Sequence, residues 1–190
     1  RPMLKSLLDR KPVPGQPPAL ATHVLPTIFA AYAQAALAGG PDAGEVIKDL
    51  LDQAKDDSDR PYARQGAVTA LSGWIGRDVG NTAVFLKTAA EKNWPDDQAG
   101  LVARLLRGYA APSPDNPAAV DELVGMLNDE AIAVREAALA NLLGFFDPAA
   151  AQSPGLMIDV GQRGTPPYER FLKAWDERKP LIKQALAGKK

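Results

Sequence analysis

Enzyme chemistry needs reactive side chains that converge, and this chain holds few of the usual types. It has no cysteine and a single histidine, His23, which removes disulfides, thiolate zinc sites and cysteine nucleophiles together. His23 follows Thr22 at the expected start of a helix carrying Leu20, Val24, Ile28 and Phe29, where a lone histidine reads as structural. Any metal ion would then depend on carboxylates, which suit hard cations. The densest acidic run, Asp56-Asp57-Ser58-Asp59, opens like a calcium loop. It continues into Arg60 and Pro61, without the glycine of the sharp turn or the closing bidentate glutamate. Ser58 or Asp59 is better read as the cap of a helix beginning at Arg60 or Pro61.

The glycine-rich stretch from Gly73 to Gly80 lacks the GxGxxG spacing, follows a helical pattern and has no Lys-Ser ending to hold phosphate. No GxSxG elbow is present, and a serine nucleophile would have only His23 as a histidine base. Asp121 with Glu122, and Asp129 with Glu130, are sequence neighbours that diverge on a helix surface. The expectation is therefore a non-catalytic protein with no catalytic, cofactor or metal residues.

The 22 basic and 23 acidic side chains leave a net charge of -1, too little to draw the whole molecule onto nucleic acid or an anionic membrane. No run approaches the roughly 18 apolar residues that span a bilayer, so no membrane insertion is expected. The first residue, Arg1, suggests an excised domain or processed product, which leaves the compartment open. A soluble protein is expected, with the cytoplasm favoured.

These residues must be carried on helices, because apolar side chains recur at three- and four-residue spacing and no stretch alternates long enough for a strand. Clusters at Pro12–Pro18, Gly39–Pro41, Gly76–Gly80 and Pro112–Pro117 punctuate them. Asp42 with Glu45 has capping-box spacing, and Asn116-Pro117 and Thr165-Pro166 each place a capping side chain before a first-turn proline. Helices are expected over about 2–10, 20–38, 43–55, 60–75, 80–93, 95–110, 117–128, 131–146 and 167–187.

The segment from Ala63 to Ile75 aligns with Val134 to Phe146 without a gap at a shift of 71 residues. Arg64 meets Arg135, and Gly73-Trp74 meets Gly144-Phe145. Gly39, Gly73, Gly108 and Gly144 are spaced by 34, 35 and 36 residues. Two helices in such a period cannot cover their apolar face alone and must stack on neighbouring pairs. Ala67, Leu71 and Trp74, like Ala138, Leu142 and Phe145, would form the stripes that do so. The glycines admit either a tight C-terminal cap or a close neighbour.

The run from Leu127 to Leu142, with Asp129 in the turn and Val134-Arg135 opening the second helix, resembles the HEAT repeat. The second pair resembles it more loosely through Asp57 or Asp59, Arg64 and Ala67, whereas the third has Ala99 in place of the arginine. The resemblance covers about residues 43–147 and implies a right-handed α–α superhelix, a solenoid of about four helical pairs with a C-terminal capping helix. Residues 1–190 would form a single domain. Residues 1–40 would be an N-terminal capping pair, 41–147 the core repeats, and 148–190 an extended connection and capping helix.

The resemblance also implies a charge ladder between layers, built from Asp129, Arg135 and Arg64. The alternative is that Arg64 and Arg135 face a concave groove and pair with a partner's carboxylate. Tyr168, Phe171 and Trp175 lie at intervals of three and four, as either the buried face of a cap or an interaction patch. The expected function is protein-interaction or scaffolding, binding a protein or peptide partner along the curved surface. The alternative is a structural domain supporting another part of a larger protein. HEAT-like pigment lyases and HEAT-like nucleic-acid enzymes form a remote third class, and the charge speaks against a DNA groove.

Overall fold

Proline and glycine divide the apolar pattern into helices almost where the spacing predicts. The computed structural model describes residues 30, 31, 33, 34, 37, 43–55, 61–109, 116, 118–145 and 158–187. Among these no strand forms; residues 30, 31, 33, 34 and 37 are helical, and the helices with described bounds are α1 (Ala43–Ala54), α2 (Pro61–Ile75), α3 (Gly80–Glu91), α4 (Asp96–Leu106), α5 (Ala118–Met126), α6 (Ile132–Gly144) and α7 (Pro166–Ala187). A single 3₁₀ turn, Val160–Gln162, precedes α7. The all-helical expectation holds. The expected helix over 2–10, His23, the Asp56–Asp59 run, Asp42 of the capping box and most of the connection after Asp147 lie outside the described residues. None of the described helices is long and apolar enough to cross a membrane.

The turns show why the helices stop. After α3 the chain passes Lys92 and takes Asn93 to φ 56°, a left-handed conformation that asparagine tolerates. Asn93 N–H then donates to Ala90 O at 3.0 Å and Trp94 N–H to Ala89 O at 3.0 Å. That pair of bonds is a Schellman motif. Trp94, placed by it, packs edge-on against Phe85 with centroids 6.2 Å apart. The next helix, α4, ends at Leu106 and not near residue 110, because Gly108 turns left-handed at φ 86°.

One of the four repeating glycines takes an expected role. Gly108 is a cap. At Gly73, inside α2, an added Cβ would stand 2.7 Å from Gln34 Nε2, the movable end of a long side chain. Gly144 is neither a cap nor a close approach, having nothing within 4 Å, and Gly39 lies outside the described residues.

Packing joins α1 to α2, α3 to α4 and α5 to α6 as consecutive pairs. The second helices α2, α4 and α6 are also in mutual contact, so α2 meets α6 directly across the pair between them. Their small side chains explain the close approach: Ala63, Ala67, Ala133 and Ala137 are all fully enclosed. Ala67, Leu71 and Trp74 of α2 and Ala138 and Leu142 of α6 are buried in one continuous core, and Phe145 packs partly buried against it. Each large apolar side chain buried there stabilises the fold by roughly 1.5–3 kcal/mol. The last helix, α7, lies against α5 and the 3₁₀ turn.

Candidate partner-binding cleft

The five residues singled out for partner contact are interior side chains. Arg64 is 1% exposed, Arg135 4%, Tyr168 0%, Phe171 3% and Trp175 0%. A partner-facing role for any of them would require the helices to part.

Arg64, in the first turn of α2, reaches across to α6, where its Nε donates to Glu136 Oε2 at 3.2 Å. Its Nη2 donates to Asp159 Oδ1, just before the 3₁₀ turn. Arg135 is held by carbonyls: Nε donates to Val160 O at 2.9 Å, and Nη1 to Asp129 O at 2.7 Å and Glu130 O at 2.8 Å. The expected ladder of Asp129, Arg135 and Arg64 is thus corrected in its acceptors. The Asp129 carboxylate accepts from Ala131 N–H at 2.8 Å and steadies the start of α6, while Glu136 and Asp159 take Arg64. Thr165 differs too: its hydroxyl donates back to Gln162 O at 2.7 Å and does not cap α7, although Pro166 is the first helical residue as expected.

Enclosure sets the electrostatics of this cluster. Burial pushes the Glu136 carboxyl up to about 7, against the opposing pull of Arg64. It likewise pushes the Tyr168 phenol up to about 12, and its O–H donates to Leu127 O at 2.6 Å. A carboxyl titrating near neutrality can serve as a general acid or base only where substrate reaches it. Glu136 is 4% exposed and does not line the cavity described next. The cluster's work is to join α2, α6 and the 3₁₀ turn.

The open site lies farther along the same helices. A cleft of about 350 Å³ separates the later turns of α2 and α6, with the end of α4 forming its floor. Val68, Thr69 and Ser72 line it from α2, Leu106 and Tyr109 from α4 and the residues just after it, and Ala140, Asn141 and Phe145 from α6 and its end.

The floor is a helix end completed by its neighbours. Gly108 N–H donates to Leu105 O at 3.1 Å, the first bond of a Schellman cap, but the second is not made within the helix. Tyr109 N–H donates to Asn141 Oδ1 at 2.9 Å instead. Asn141 Nδ2 donates to Leu105 O at 2.9 Å, and Ser72 Oγ donates to Leu106 O at 2.8 Å. The Leu106 carbonyl, which the helix C-terminus leaves unpaired, is therefore satisfied by Ser72 of α2, and the Leu105 carbonyl takes Asn141 of α6 as a second donor beside Gly108 N–H. The polar groups of the cleft turn inward on one another, and the surface left for a ligand is mostly apolar.

Beside this floor, Arg104 is exposed on α4 with its guanidinium 4.9 Å from the centroid of the Tyr109 ring. Its Nη2 donates to the Tyr109 hydroxyl at 3.2 Å.

Ser72, Asn141, Arg104 and Tyr109 are not among the site residues that the sequence singles out. The available signal is slight: Asn141 and Ser72 are polar positions next to apolar stripes, and Tyr109 stands out only as the aromatic after a repeating glycine. Among the described residues no group of three or more His, Cys, Asp or Glu side chains is placed to hold a metal ion. No family model, no curated protein and no solved structure matches this chain.

Proposed function

We propose that this chain is a non-catalytic protein-interaction module, a right-handed HEAT-like solenoid whose cleft between α2 and α6 docks a segment of a protein partner. The observation that carries the docking role is the cleft itself. It is apolar along its walls, has its polar side chains already paired, and is open on the face formed by the second helices. A preformed apolar concavity with few polar groups is the usual form of a recognition site. Support for the repeat relationship comes from α2 and α6. Their aligned residues Arg64 and Arg135, Ala67 and Ala138, and Leu71 and Leu142 are all buried, although α2 also meets α6 directly, a tighter arrangement than an open solenoid in which each pair touches only its neighbours.

Site-directed photocrosslinking tests this reading. A photoreactive side chain at Thr69, in the cleft, is compared with one at Glu122, exposed on α5, in extract from the protein's own organism. The expected result is a discrete protein adduct from position 69 alone, abolished when Ala140→Trp fills the cleft. Equal adducts from both positions, or adducts indifferent to the tryptophan, would contradict it.

A further inference from the structure

We infer that the cleft takes a short acidic segment of a protein partner, with a large apolar side chain entering between α2 and α6 and a neighbouring carboxylate meeting Arg104. This rests on the cleft being the docking site, and three observations favour that occupant.

The first is capacity. About 350 Å³ lies at the small end of ligand pockets, which run from roughly 300 to 1,000 Å³. That suits one or two side chains of an extended segment better than a whole helix. Ser72 and Asn141 have their hydrogen bonds committed to the end of α4, so a polar side chain entering there would lose water and gain little. An apolar one would gain by burial alone.

The second is charge. No acidic side chain lines the cleft among the described residues, and Arg104 and Arg107, both exposed, are chain neighbours of its lining residues Leu105, Leu106 and Gly108. Arg107 sits between Leu106 and Gly108, which both line the cleft. A helix C-terminus normally repels anions. Here the final carbonyls of α4 accept from Ser72 and Asn141, which mutes that repulsion.

The third is preorganisation. Arg104 is braced by the Tyr109 ring and hydroxyl, and Tyr109 is itself pinned through its backbone to Asn141. A guanidinium held this way keeps donors for a carboxylate and loses less side-chain entropy on pairing than a loose one. Two arginines without a longer basic run are a poor footprint for nucleic acid, where affinity grows with the number of phosphates neutralised.

The test pans the full chain against a displayed library of random short peptides. Synthetic versions of the selected sequence are then measured with each carboxylate present or replaced by its amide. The recovered peptides are expected to carry Leu, Ile or Phe beside Asp or Glu. Ala140→Trp is expected to weaken binding more than about tenfold, and Arg104→Gln about tenfold for the acidic peptide while leaving the amide version unchanged, consistent with one charge-assisted contact. Thr69→Trp, at an exposed position of the cleft, gives a second blocking variant should Ala140→Trp melt early.

Binding blocked by either tryptophan but indifferent to Arg104→Gln would overturn the acidic partner and leave the docking site standing. Selection of basic peptides would do the same. Recovery of no peptide, or binding that neither tryptophan affects, would overturn both.

Discussion

The Nε of Arg64 on α2 donates to Oε2 of Glu136 on α6 at 3.2 Å, and both side chains are shut away from solvent. The two residues are 72 positions apart and belong to helix pairs that are not adjacent in the chain. Their contact fixes how closely the second helices draw together, and so how far the later turns of α2 and α6 open around the end of α4.

Removing one partner of a buried pair strands the other. Arg64→Met is expected to lower unfolding free energy by about 3–5 kcal/mol, read from urea denaturation. Arg64→Met combined with Glu136→Leu should recover part of that loss, since apolar replacement of a buried pair is often neutral, while Asp159 keeps Gly161 N–H but loses the guanidinium. A single-variant loss below about 1 kcal/mol would show that the pair does not join α2 to α6.

Glu136 also sets a direction for pH dependence. Its carboxyl is raised from 4.5 to about 7 by burial, with Arg64, Arg135 and Asp159 as its charged neighbours. Between those values the unfolded chain releases the proton while the folded protein keeps it, so stability falls as pH rises. The contribution is fully present below pH 4.5 and lost as pH rises through 7. Thermal midpoints across this window should fall more steeply for the native chain than for Glu136→Gln, which has no such proton to lose. Parallel profiles would contradict the shift.

Asn141 and Ser72 complete α4 from outside. Asn141→Ala strands Tyr109 N–H, while Leu105 O keeps Gly108 N–H as a donor, and is expected to cost about 1–2 kcal/mol, against about 1 kcal/mol for Ser72→Ala. Thr69→Ala, whose hydroxyl bonds only to Gln65 O of its own helix, should stay within about 0.5 kcal/mol of the native chain.

Two glycines of the same helix region should respond with opposite sign. Gly100 is inside α4, and a Cβ added there would meet nothing within 4 Å, so Gly100→Ala should stabilise by about 0.5–1 kcal/mol. Gly108 adopts φ 86°, and Gly108→Ala should destabilise by about 1–2 kcal/mol. Both are read as shifts in thermal midpoint.

How much of this is legible in the sequence depends on the range of the interaction. Helix positions follow from spacing and from proline and glycine, which act locally, so α1, α2 and α6 begin within a residue of expectation. The end of α4 falls short of its expected place because Gly108 turns left-handed there, and the side chains that complete that end, Ser72 and Asn141, lie 34 and 36 residues from the carbonyls they serve. Repetition marks the arginines, but not their acceptors. Glu136 follows Arg135 in a pattern that reads as surface charge, and Asp159 sits 95 residues from Arg64. The cleft cannot be read from the sequence at all, since it arises where two helices diverge around the end of a third.

The most direct test of the cleft is amide chemical-shift mapping of the labelled chain during titration with a selected acidic peptide. The account predicts that shifts concentrate at Thr69, Ser72, Tyr109, Ala140 and Asn141, around the cavity between α2, α4 and α6. Shifts gathered instead around Val79 and Val84, or around Leu181, where large apolar side chains are exposed elsewhere on the molecule, with the cleft amides unmoved, would contradict it.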